Sequence, residues 1–472
     1  MSAKNIPNLD SVASLKADGS RNFLRPSMPK GRFATARRLS AYVLIGIYIL
    51  LPWIQINGHP AIFFDLFHRR FHLFGWTFAA QDLFLAFFLV SGLGFILFFV
   101  TSIFGRIWCG WTCPHTVFLE HVYRRIERLI EGPVGEQKRL DRMSWSESEK
   151  QFKRGLKHVL FALISVIISH LFVAYFISIP ELYQWMTHSP TEHWSGFVFI
   201  FVMSGLLYFN FAWFREQLCL AICPYGRLQS ALIDDDSIVI GYDEIRGEPR
   251  GRPSKEGVGD CIDCKQCISV CPTGIDIRQG LQMECVGCSN CIDACDDVMS
   301  KLKRPSGLIR YDSMNGFKGK KRRILRPRVF VYFFFMLLGL TVMSYAFSMV
   351  KPAYMLVTRM RGAPFYQKDD LLRNQYNVRI INKTTEEQTF ALRIESDQED
   401  LEKRGFETPV IVKPMEETML PLIVLKNLES FDAPFKFRVI LSLQEEELEL
   451  SREIHFLGPQ LKDPNQELKF ER

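Results

Sequence analysis

The stretch Cys261-Ile-Asp-Cys264-Lys-Gln-Cys267-Ile-Ser-Val-Cys271-Pro272 is followed by Cys285-Val-Gly-Cys288-Ser-Asn-Cys291-Ile-Asp-Ala-Cys295, and 13 residues separate Cys271 from Cys285. Each half has the spacing C-x2-C-x2-C-x3-C, in which three thiolates bind one 4Fe-4S cluster and the fourth binds the neighbouring cluster. Paired C-x2-C also occurs in zinc sites, but zinc has no use for the third cysteine of each half. The spacing therefore predicts two 4Fe-4S clusters, which transfer electrons one at a time, in a ferredoxin-like domain over residues 241–310. By the crossed pattern, one cluster is expected on Cys261, Cys264, Cys267 and Cys295, and the other on Cys285, Cys288, Cys291 and Cys271.

Outside this domain, five apolar segments are each about as long as a helix that crosses the roughly 30 Å hydrocarbon core of a bilayer. They cover residues 39–55, 83–104, 158–179, 194–214 and 329–350. These segments explain a hydrophobic fraction of 48%, which is high for a chain that also carries a ferredoxin. We therefore expect a multi-domain membrane protein with an α-helical bundle of five spans. Four spans belong to a membrane domain over residues 39–240, and the fifth is at 329–350.

Basic residues set the expected orientation of the spans, because loops rich in Lys and Arg stay on the cytoplasmic side. Residues 1–38 hold eight Lys or Arg and residues 106–157 hold eleven, whereas residues 179–194 hold none. The polar segment 1–38, which has no apolar signal-peptide core, and the ferredoxin-like domain are therefore predicted to be cytoplasmic. The part after residue 350 is predicted to lie outside. In this setting the net charge of +7 indicates membrane topology, and we expect no nucleic-acid partner.

Two further cysteine pairs form a repeated motif C-x3-C-P, with Cys109 and Cys113 in the first copy and Cys219 and Cys223 in the second. The copies are 110 residues apart and each follows a two-span unit, which indicates a duplicated hairpin. Proline favours the first position of a helix, so we expect Cys113 and Cys223 at helix N-termini, where the helix dipole favours thiolate over thiol. A single C-x3-C in an apolar helix is more often ordinary packing, but two copies beside a cluster domain favour a functional site. Four thiolates could bind Cu(I), another metal or a third cluster, or cycle as dithiols, and their softness favours Cu(I) without deciding it.

The chain changes character after Pro352, where short runs of alternating apolar and polar residues are separated by turn signals. Alternation with a period of two predicts strands, and about 100 residues of such runs predict an antiparallel, all-β immunoglobulin-like sandwich. We assign this sandwich to residues 360–472. The region contains no cysteine and no cluster of metal ligands or nucleophiles, so contact with a partner protein is the natural hypothesis for it.

With these features in place, the chain resembles the FixG/CcoG/RdxA family of cytochrome c oxidase accessory proteins. The resemblance rests on the two C-x3-C-P motifs, the run from Cys271 to Cys285, the segment from Phe64 to Phe71 and the strand from Tyr376 to Lys383. It covers nearly the whole chain beyond the N-terminal segment. Over residues 39–300 the chain is also similar to the wider group of membrane polyferredoxins that includes the NapH and NosR types.

The resemblance implies a protein of the bacterial inner membrane, with its N-terminus and ferredoxin domain in the cytoplasm and its C-terminal domain in the periplasm. It implies a role in assembly of the cbb3-type oxidase, as a cupric reductase that converts Cu(II) to Cu(I) before copper reaches a chaperone or an oxidase subunit. The eight ferredoxin cysteines are then cluster ligands. The copper-binding or electron-relay residues are Cys109, Cys113, Cys219 and Cys223. The residues alone indicate clusters beside a soft thiol site, but they indicate neither copper, nor the oxidase, nor the cytoplasmic electron donor.

Two other functions stay open. The chain could be an electron conduit between a quinone or a cytoplasmic donor and a periplasmic enzyme, with the four membrane thiols serving structure or a third cluster. It could instead be a non-enzymatic assembly scaffold whose outer sandwich docks onto an oxidase subunit.

Overall fold

The structure of the protein is a computed structural model. It describes residues 23–67, 70–79, 84–252, 256–349, 351–368, 370–384, 386–398, 400–414, 416–443 and 449–459. Parts of the predicted N-terminal segment, of the predicted second and fifth spans, of the segment 64–71 and of the predicted sandwich lie outside these described residues. The chain divides into two compact units, the first drawn from residues 1–69 and 83–345 and the second from residues 70–82 and 346–472.

Five helices among the described residues are long and apolar enough to cross a membrane. They are Arg32–Leu50, Phe84–Phe104, Ser148–Val173, Trp194–Phe214 and Pro327–Ser348, named here the first to fifth spans. Only 6% to 28% of the residues in their apolar windows are buried, so most of their apolar side chains face outward. Exposed apolar surface of this extent is typical of helices in contact with lipid. The prediction of five apolar spans is confirmed.

Two spans begin at least one helical turn earlier than the apolar segments that predict them. The first span begins at Arg32 and ends at Leu50, whereas the apolar segment covers 39–55. The N-terminal turns of this span are helical although they contain Arg37, because the Arg37 side chain is buried against polar partners. At the other end, Pro52 prevents the helix from continuing. The third span begins at Ser148 rather than at residue 158, since its buried lysines are also bonded to polar groups. Hydropathy alone does not detect helical turns of this kind.

Shorter helices follow the second and fourth spans in the same order, as expected of a duplicated hairpin. Pro114 and Pro224 each begin a helix, and Cys113 and Cys223 are the residues that cap these helices, which confirms the predicted placement of both cysteines. Between the second and third spans the helices are Ile107–Trp111, Pro114–Phe118, Arg124–Glu131 and Val134–Arg142. Helix Ile179–Thr187 lies between the third and fourth spans, and helix Pro224–Leu232 follows the fourth span. Three π-helical turns accompany them at Leu119–Tyr123, Asn210–Phe214 and Leu218–Ile222. Single π turns are frequent at functional sites.

The ferredoxin-like domain is closed by a two-stranded antiparallel sheet. Strand Val239–Tyr242 pairs with strand Ile309–Asp312. Between them lie helices Glu244–Gly247, Gln266–Ser269 and Asn290–Lys301 and the turn Ile277–Gln279, and helix Met314–Phe317 follows. The sheet extends two residues beyond each end of the predicted domain 241–310, because the two strands come together from distant parts of the sequence.

The second unit contains an antiparallel β-sandwich, which confirms the predicted immunoglobulin-like fold. One sheet has the strand order Glu402–Arg404, Glu417–Asn427, Leu371–Asn382 and Ala353–Arg359, with Tyr366–Lys368 also paired to Leu371–Asn382. The other sheet has the order Val410–Val412, Gln388–Glu395, Phe435–Leu443 and Glu449–Phe456. Alternate residues of both sheets, such as Tyr376, Val378, Phe437 and Val439, form one buried core. The first strand begins at Ala353, so the sandwich starts before residue 360.

A β-hairpin from the region after the first span also belongs to the second unit. Its strands are Arg70–Leu73 and Trp76–Ala79, with Leu73 opposite Trp76. The rings of Trp76 and Phe78 lie 5.4 Å and 5.3 Å from the ring of Phe347. In the first unit, strand Gln55–Ile56 pairs with His59–Pro60, and Ile62–Asp65 is a further short strand.

Candidate iron-sulfur and thiol sites

Two cavities of similar size lie inside the ferredoxin-like domain, with volumes of about 330 Å³ and 360 Å³. The walls of each cavity include the four cysteines of one crossed group that the spacing predicts. The first cavity is lined by Cys271, Cys285, Cys288 and Cys291. We name these four the proximal set, because they lie nearer to the first C-x3-C-P motif. The second is lined by the distal set, Cys261, Cys264, Cys267 and Cys295. Cys267 also borders the first cavity, so the two cavities are neighbours.

Both halves of the cysteine motif turn in the same way. Lys265, directly after Cys264, and Ser289, directly after Cys288, have positive φ angles of 56° and 62°. Each of these residues precedes the helix that carries the third cysteine of its half. A left-handed residue at this point turns the chain sharply and brings the three thiols around one cavity.

The cavities have the chemistry that a 4Fe-4S cluster requires. Burial raises the pKa of the thiols to about 12 for Cys267, Cys288 and Cys295 and to about 11 for Cys285. Free thiolates are therefore unfavourable in these cavities, whereas metal coordination deprotonates a thiol outright. Apolar residues such as Ile275 complete the walls, and an apolar shell of this kind tunes cluster potentials. The residues fit two 4Fe-4S clusters.

The four thiols of the C-x3-C-P motifs lie close enough to interact. Burial, together with the nearby thiols of Cys113, Cys109 and Cys223, raises the pKa of Cys219 to about 12. Burial also raises the pKa of Cys109 to about 11, although a hydrogen bond from the Gln229 side chain opposes this shift. The Gln229 Nε2 atom lies 3.3 Å from the Cys109 sulfur. All four cysteines are half-buried, and those of the two hairpins lie near enough for their charges to interact. Sulfur is a ligand type that suits soft metals, although no three His, Cys, Asp or Glu side chains of the described residues are grouped closely enough to hold a metal ion as they stand.

The first C-x3-C-P motif lies directly against the proximal set. A β-carbon on Gly110, the residue after Cys109, would lie 2.6 Å from the Gly287 carbonyl oxygen and 2.8 Å from the Cys288 α-carbon. The approach is tight from both sides, because a β-carbon on Gly287 would lie 2.8 Å from the Arg106 carbonyl oxygen. Gly287 also has a φ of 67°, which favours glycine. The two glycines therefore bring the thiol motif and the ferredoxin backbone into direct contact.

Arg106 links both thiol motifs to the proximal set. Its guanidinium donates hydrogen bonds to the carbonyl oxygen of Cys285 at 3.3 Å and to that of Gly226 at 3.1 Å. Gly226 lies in the helix that begins directly after Cys223. One side chain therefore fixes the end of the second span, the second motif and a proximal cysteine relative to one another.

Arg37 of the first span fixes the same contact from the other side. It is 4% exposed, and its Nε donates to the Gly110 carbonyl oxygen at 2.9 Å. Its NH1 donates to the Asn290 side-chain oxygen at 2.6 Å. Asn290 lies between two proximal cysteines and in turn donates to the Val270 carbonyl oxygen at 3.2 Å.

We expect Arg37→Gln to lower the free energy of unfolding by about 3–6 kcal/mol, because a hydrogen bond to a charged group contributes about 1.5–3 kcal/mol and two are lost. The matched control is Arg38→Gln, which removes an equal charge from the same helix without removing either bond. The measurement is denaturation of both purified variants in detergent, followed by circular dichroism. Equal stability of the two variants would contradict a clamping role for Arg37.

A buried ion network, which the sequence analysis missed, lies next to these sites. Arg124 is 2% exposed, forms ion pairs with Glu120 and Glu216, and donates to the Pro272 carbonyl oxygen at 3.4 Å. Further buried ion pairs join Arg215 to Glu127 and Lys157 to Glu131. Although burial opposes it, the cations of Arg215 and Lys157 lower the pKa of Glu127 to about 2. The spacing of Glu120 and Arg124 is that of a helical ion pair, but no sequence signal joins them to Glu216 or Pro272.

Comparison with known proteins identifies the family of the chain. Three protein-family models match the chain. A 4Fe-4S dicluster domain matches residues 214–314, and a 4Fe-4S binding domain matches residues 85–133. A family described as an IG-like fold at the C-terminal of FixG, putative oxidoreductase, matches residues 343–459. Protein RdxA of Cereibacter sphaeroides is 38% identical over 390 residues, which cover 78% of this chain and 81% of RdxA. This chain belongs to the FixG/RdxA family.

Other members of the FixG/RdxA family extend the match along the chain. Nitrogen fixation protein FixG of Rhizobium meliloti is 35% identical, with 79% of each chain covered. Protein RdxB of Cereibacter sphaeroides is 33% identical over 91% of this chain and 94% of its own length. The crystal structure of a FixG-related protein from Vibrio parahaemolyticus is 26% identical, covers 23% of this chain and 97% of its own, and has a TM-score of 0.21.

The family and the cysteine-lined cavities together define the class of this protein. It is an electron-transfer protein with 4Fe-4S domains, and its five apolar helices indicate a membrane protein. The matched segment 85–133 contains none of the eight ferredoxin cysteines. Its two cysteines are Cys109 and Cys113 of the first thiol motif.

Proposed function

We propose that this FixG/RdxA-family protein is a cupric reductase that supplies Cu(I) for assembly of a cbb3-type cytochrome c oxidase. The observation that carries the proposal is the contact of Gly110 with Gly287 and Cys288, because it joins a four-sulfur site to the proximal cysteines. When bound, the 4Fe-4S clusters supply one-electron transfer. Copper is the substrate, and each Cu(II) takes up one electron to become Cu(I).

The four thiols are the proposed copper-binding groups, Cys109, Cys113, Cys219 and Cys223. Sulfur ligands favour Cu(I), so the site favours the product of the reduction. Copper binding displaces the protons of the buried thiols, since thiolates and not thiols bind metals. The hydrogen bonds of Arg37 and Arg106 hold the two thiol motifs in a fixed position next to the proximal set.

The proposal includes a topology and partners. The distribution of Lys and Arg supports an inner-membrane protein with the N-terminal segment and ferredoxin-like domain in the cytoplasm and the sandwich in the periplasm. A cytoplasmic or membrane donor supplies electrons. The sandwich, which has no cysteine, serves as the docking surface for an oxidase subunit or a copper chaperone.

Metal analysis tests the proposed copper site. Anaerobically purified protein is expected to hold about eight iron atoms per chain, four per cluster, together with bound copper. A variant with Cys109, Cys113, Cys219 and Cys223 changed to Ser should keep the iron and the EPR signals of reduced clusters but lose the copper, because serine oxygen is a poor ligand for Cu(I). The iron content of the same sample is the control for folding. Copper bound equally well by the variant would overturn the proposed site.

A third 4Fe-4S cluster at the four thiols is a second candidate, favoured by one observation. The segment 85–133 matches a 4Fe-4S binding family, and its cysteines are those of the first thiol motif. The protein would then be an electron conduit in which the thiol site passes electrons onward. In this case the four-serine variant loses about four of about twelve iron atoms, and the wild type binds no copper.

A further inference from the structure

An open pocket of about 540 Å³ lies where the second span ends and the ferredoxin-like domain begins. Its walls are mostly apolar and include Phe104, Ile107, Ile233, Ile238, Leu281 and Met283. Three of these side chains are exposed, Phe104 at 44%, Leu281 at 47% and Met283 at 52%. An apolar pocket with an exposed apolar rim at the end of a membrane span is accessible to a ligand that is dissolved in lipid.

One buried polar atom in the pocket wall has no partner. Gln282 is 8% exposed, and its side-chain oxygen Oε1 accepts no hydrogen bond from the residues that the structure describes. Its Nε2 donates to the Asp276 carbonyl oxygen at 2.7 Å, which fixes the orientation of the amide. An unpartnered buried acceptor is unfavourable. A ligand that carries a hydroxyl group would satisfy it.

The same wall contains a ligand of the proximal set. Cys285 lines the pocket, and its backbone N–H donates to the Gln282 carbonyl oxygen at 3.2 Å. The free amide oxygen and the cysteine therefore belong to one tight turn. Arg106, whose guanidinium donates to the Cys285 carbonyl oxygen, is also part of the wall. A redox-active ligand in this pocket would lie beside the proximal set.

We propose that this pocket binds a membrane quinol, which is the reductant for copper; the inference rests on the proposed function. A quinol combines an apolar tail, which suits the rim, with a ring hydroxyl, which donates to Gln282 Oε1. Oxidation of one quinol to the quinone releases two electrons and two protons. The two electrons reduce two Cu(II) to two Cu(I), and the protons leave through the open side of the pocket. A lipid acyl chain could fill the apolar walls, but it has no donor for Gln282.

Binding is tested with an azido-quinone that labels the full-length protein on illumination, in detergent and in the oxidised state. Label is expected on the peptide around Leu281 and Met283, and unlabelled quinone should compete for it. Met283→Trp, which fills the pocket from its exposed rim, should abolish the label. Gln282→Leu should leave labelling by the quinone in place, because a quinone has no hydroxyl donor, but should raise about tenfold the duroquinol concentration that gives half-maximal Cu(I) formation, the equivalent of one hydrogen bond. Ile245→Trp, at a residue that is 79% exposed and outside the pocket wall, is the matched control.

Electron transfer is tested with duroquinol, added anaerobically to oxidised protein together with Cu(II) and a Cu(I)-specific chelator. Wild type and Ile245→Trp should accelerate Cu(I) formation over the protein-free mixture, and Met283→Trp should not. Dithionite-reduced Met283→Trp should still reduce Cu(II) as wild type does, which shows that the variant is folded. Labelling elsewhere, labelling that lipid but not quinone displaces, or equal rates in Met283→Trp and wild type would overturn the quinol site. Failure of dithionite-reduced wild type to reduce Cu(II) would instead overturn the proposed function.

Discussion

Replacing Gly110 with alanine is expected to slow the proposed reduction of Cu(II) severalfold, because the rate of electron transfer falls as the distance between the proximal set and the thiol motif grows. The added β-carbon would lie 2.6 Å from the Gly287 carbonyl oxygen and 2.8 Å from the Cys288 α-carbon. Both are backbone atoms, so no side chain can rotate to make room. The thiol motif must then move away from the proximal set, and the Cys109 sulfur, a proposed copper ligand, moves with it.

Gly135 provides the matched control for this substitution. It lies in helix Val134–Arg142, and a β-carbon there would meet nothing within 4 Å. Gly135→Ala should leave the rate unchanged and should stabilise the helix by about 0.5–1 kcal/mol, since alanine is the better helix former. The rate is measured on dithionite-reduced protein by the absorbance of a Cu(I)-specific chelator, with iron content checked first. Equal rates for Gly110→Ala and Gly135→Ala would show that the contact is not part of the electron path.

The contact can also be disturbed from the ferredoxin side. Gly287→Ala adds a β-carbon 2.8 Å from the Arg106 carbonyl oxygen at a positive φ. It should slow copper reduction in the same way as Gly110→Ala. Because both substitutions open one contact, the double variant should be little slower than either single variant, whereas independent effects would multiply.

Arg124→Met is expected to lower the free energy of unfolding by about 3–5 kcal/mol, the usual cost of removing one partner from a buried ion pair. Methionine has a similar length, so the main change is the loss of the cation. The carboxylates of Glu120 and Glu216, both buried, lose the cation that binds them together. The bond to the Pro272 carbonyl oxygen is lost as well, and Pro272 directly follows Cys271 of the proximal set. We therefore expect a lower iron content as a second effect.

Arg125→Met is the control for this prediction. Arg125 is on the same helix but is exposed, and its guanidinium lies 5.6 Å from the centre of the Tyr42 ring. Its replacement should cost less than about 1 kcal/mol, which is typical of an exposed cation–π contact. Changing Glu216 to Gln in the Arg124→Met background should restore part of the stability, because one buried negative charge is removed. Denaturant titration of all three variants in mixed micelles measures these differences. Similar losses for Arg124→Met and Arg125→Met would contradict the importance of the network.

The cysteine grouping of the ferredoxin-like domain could be predicted because it depends on local spacing. Three cysteines spaced three positions apart can surround only one cavity, and the fourth lies one helical turn beyond the third, as Cys295 does after Cys291. The first and last residues of the domain were harder to predict from the sequence. Val239 and Asp312 pair across the whole domain, and such pairing is specified by tertiary packing and not by neighbours in the sequence.

The positions of the spans were predictable from hydropathy, but their ends were not. Arg37 and Lys150 lie in helical turns that hydropathy does not assign to the spans, because each side chain is buried against polar partners. Arg37 is bonded to Gly110 and Asn290, which are distant in sequence, and Lys150 is bonded to the carbonyl oxygen of Met143, just before its helix begins. A sequence shows the charge of such a residue but not its partner. The same reason hid Arg124, whose bonds join three segments of the chain.

The thiol motifs illustrate a third case. Their cysteines indicated four sulfur ligands, and their prolines indicated that two of these, Cys113 and Cys223, lie at helix starts, both of which are present. Gly110, between Cys109 and Cys113, gave no signal, since glycine is common in turns and loops. Its importance comes from the backbone of Gly287 on the opposite surface. A residue that matters because it lacks a side chain is recognised only when its neighbour is known.

The bond between Arg37 and Asn290 has a consequence for the synthesis of this protein. The two residues are 253 positions apart, and both are buried. At roughly 5–20 residues per second, translation from one to the other takes on the order of 10–50 s. The first helix therefore enters the bilayer long before its arginine can meet the asparagine, and the guanidinium must remain hydrated or bound to a lipid headgroup during that interval. Tight closure of the membrane bundle then waits for the iron-binding domain, so that cells starved of iron should accumulate chains that are inserted but still open to proteolysis.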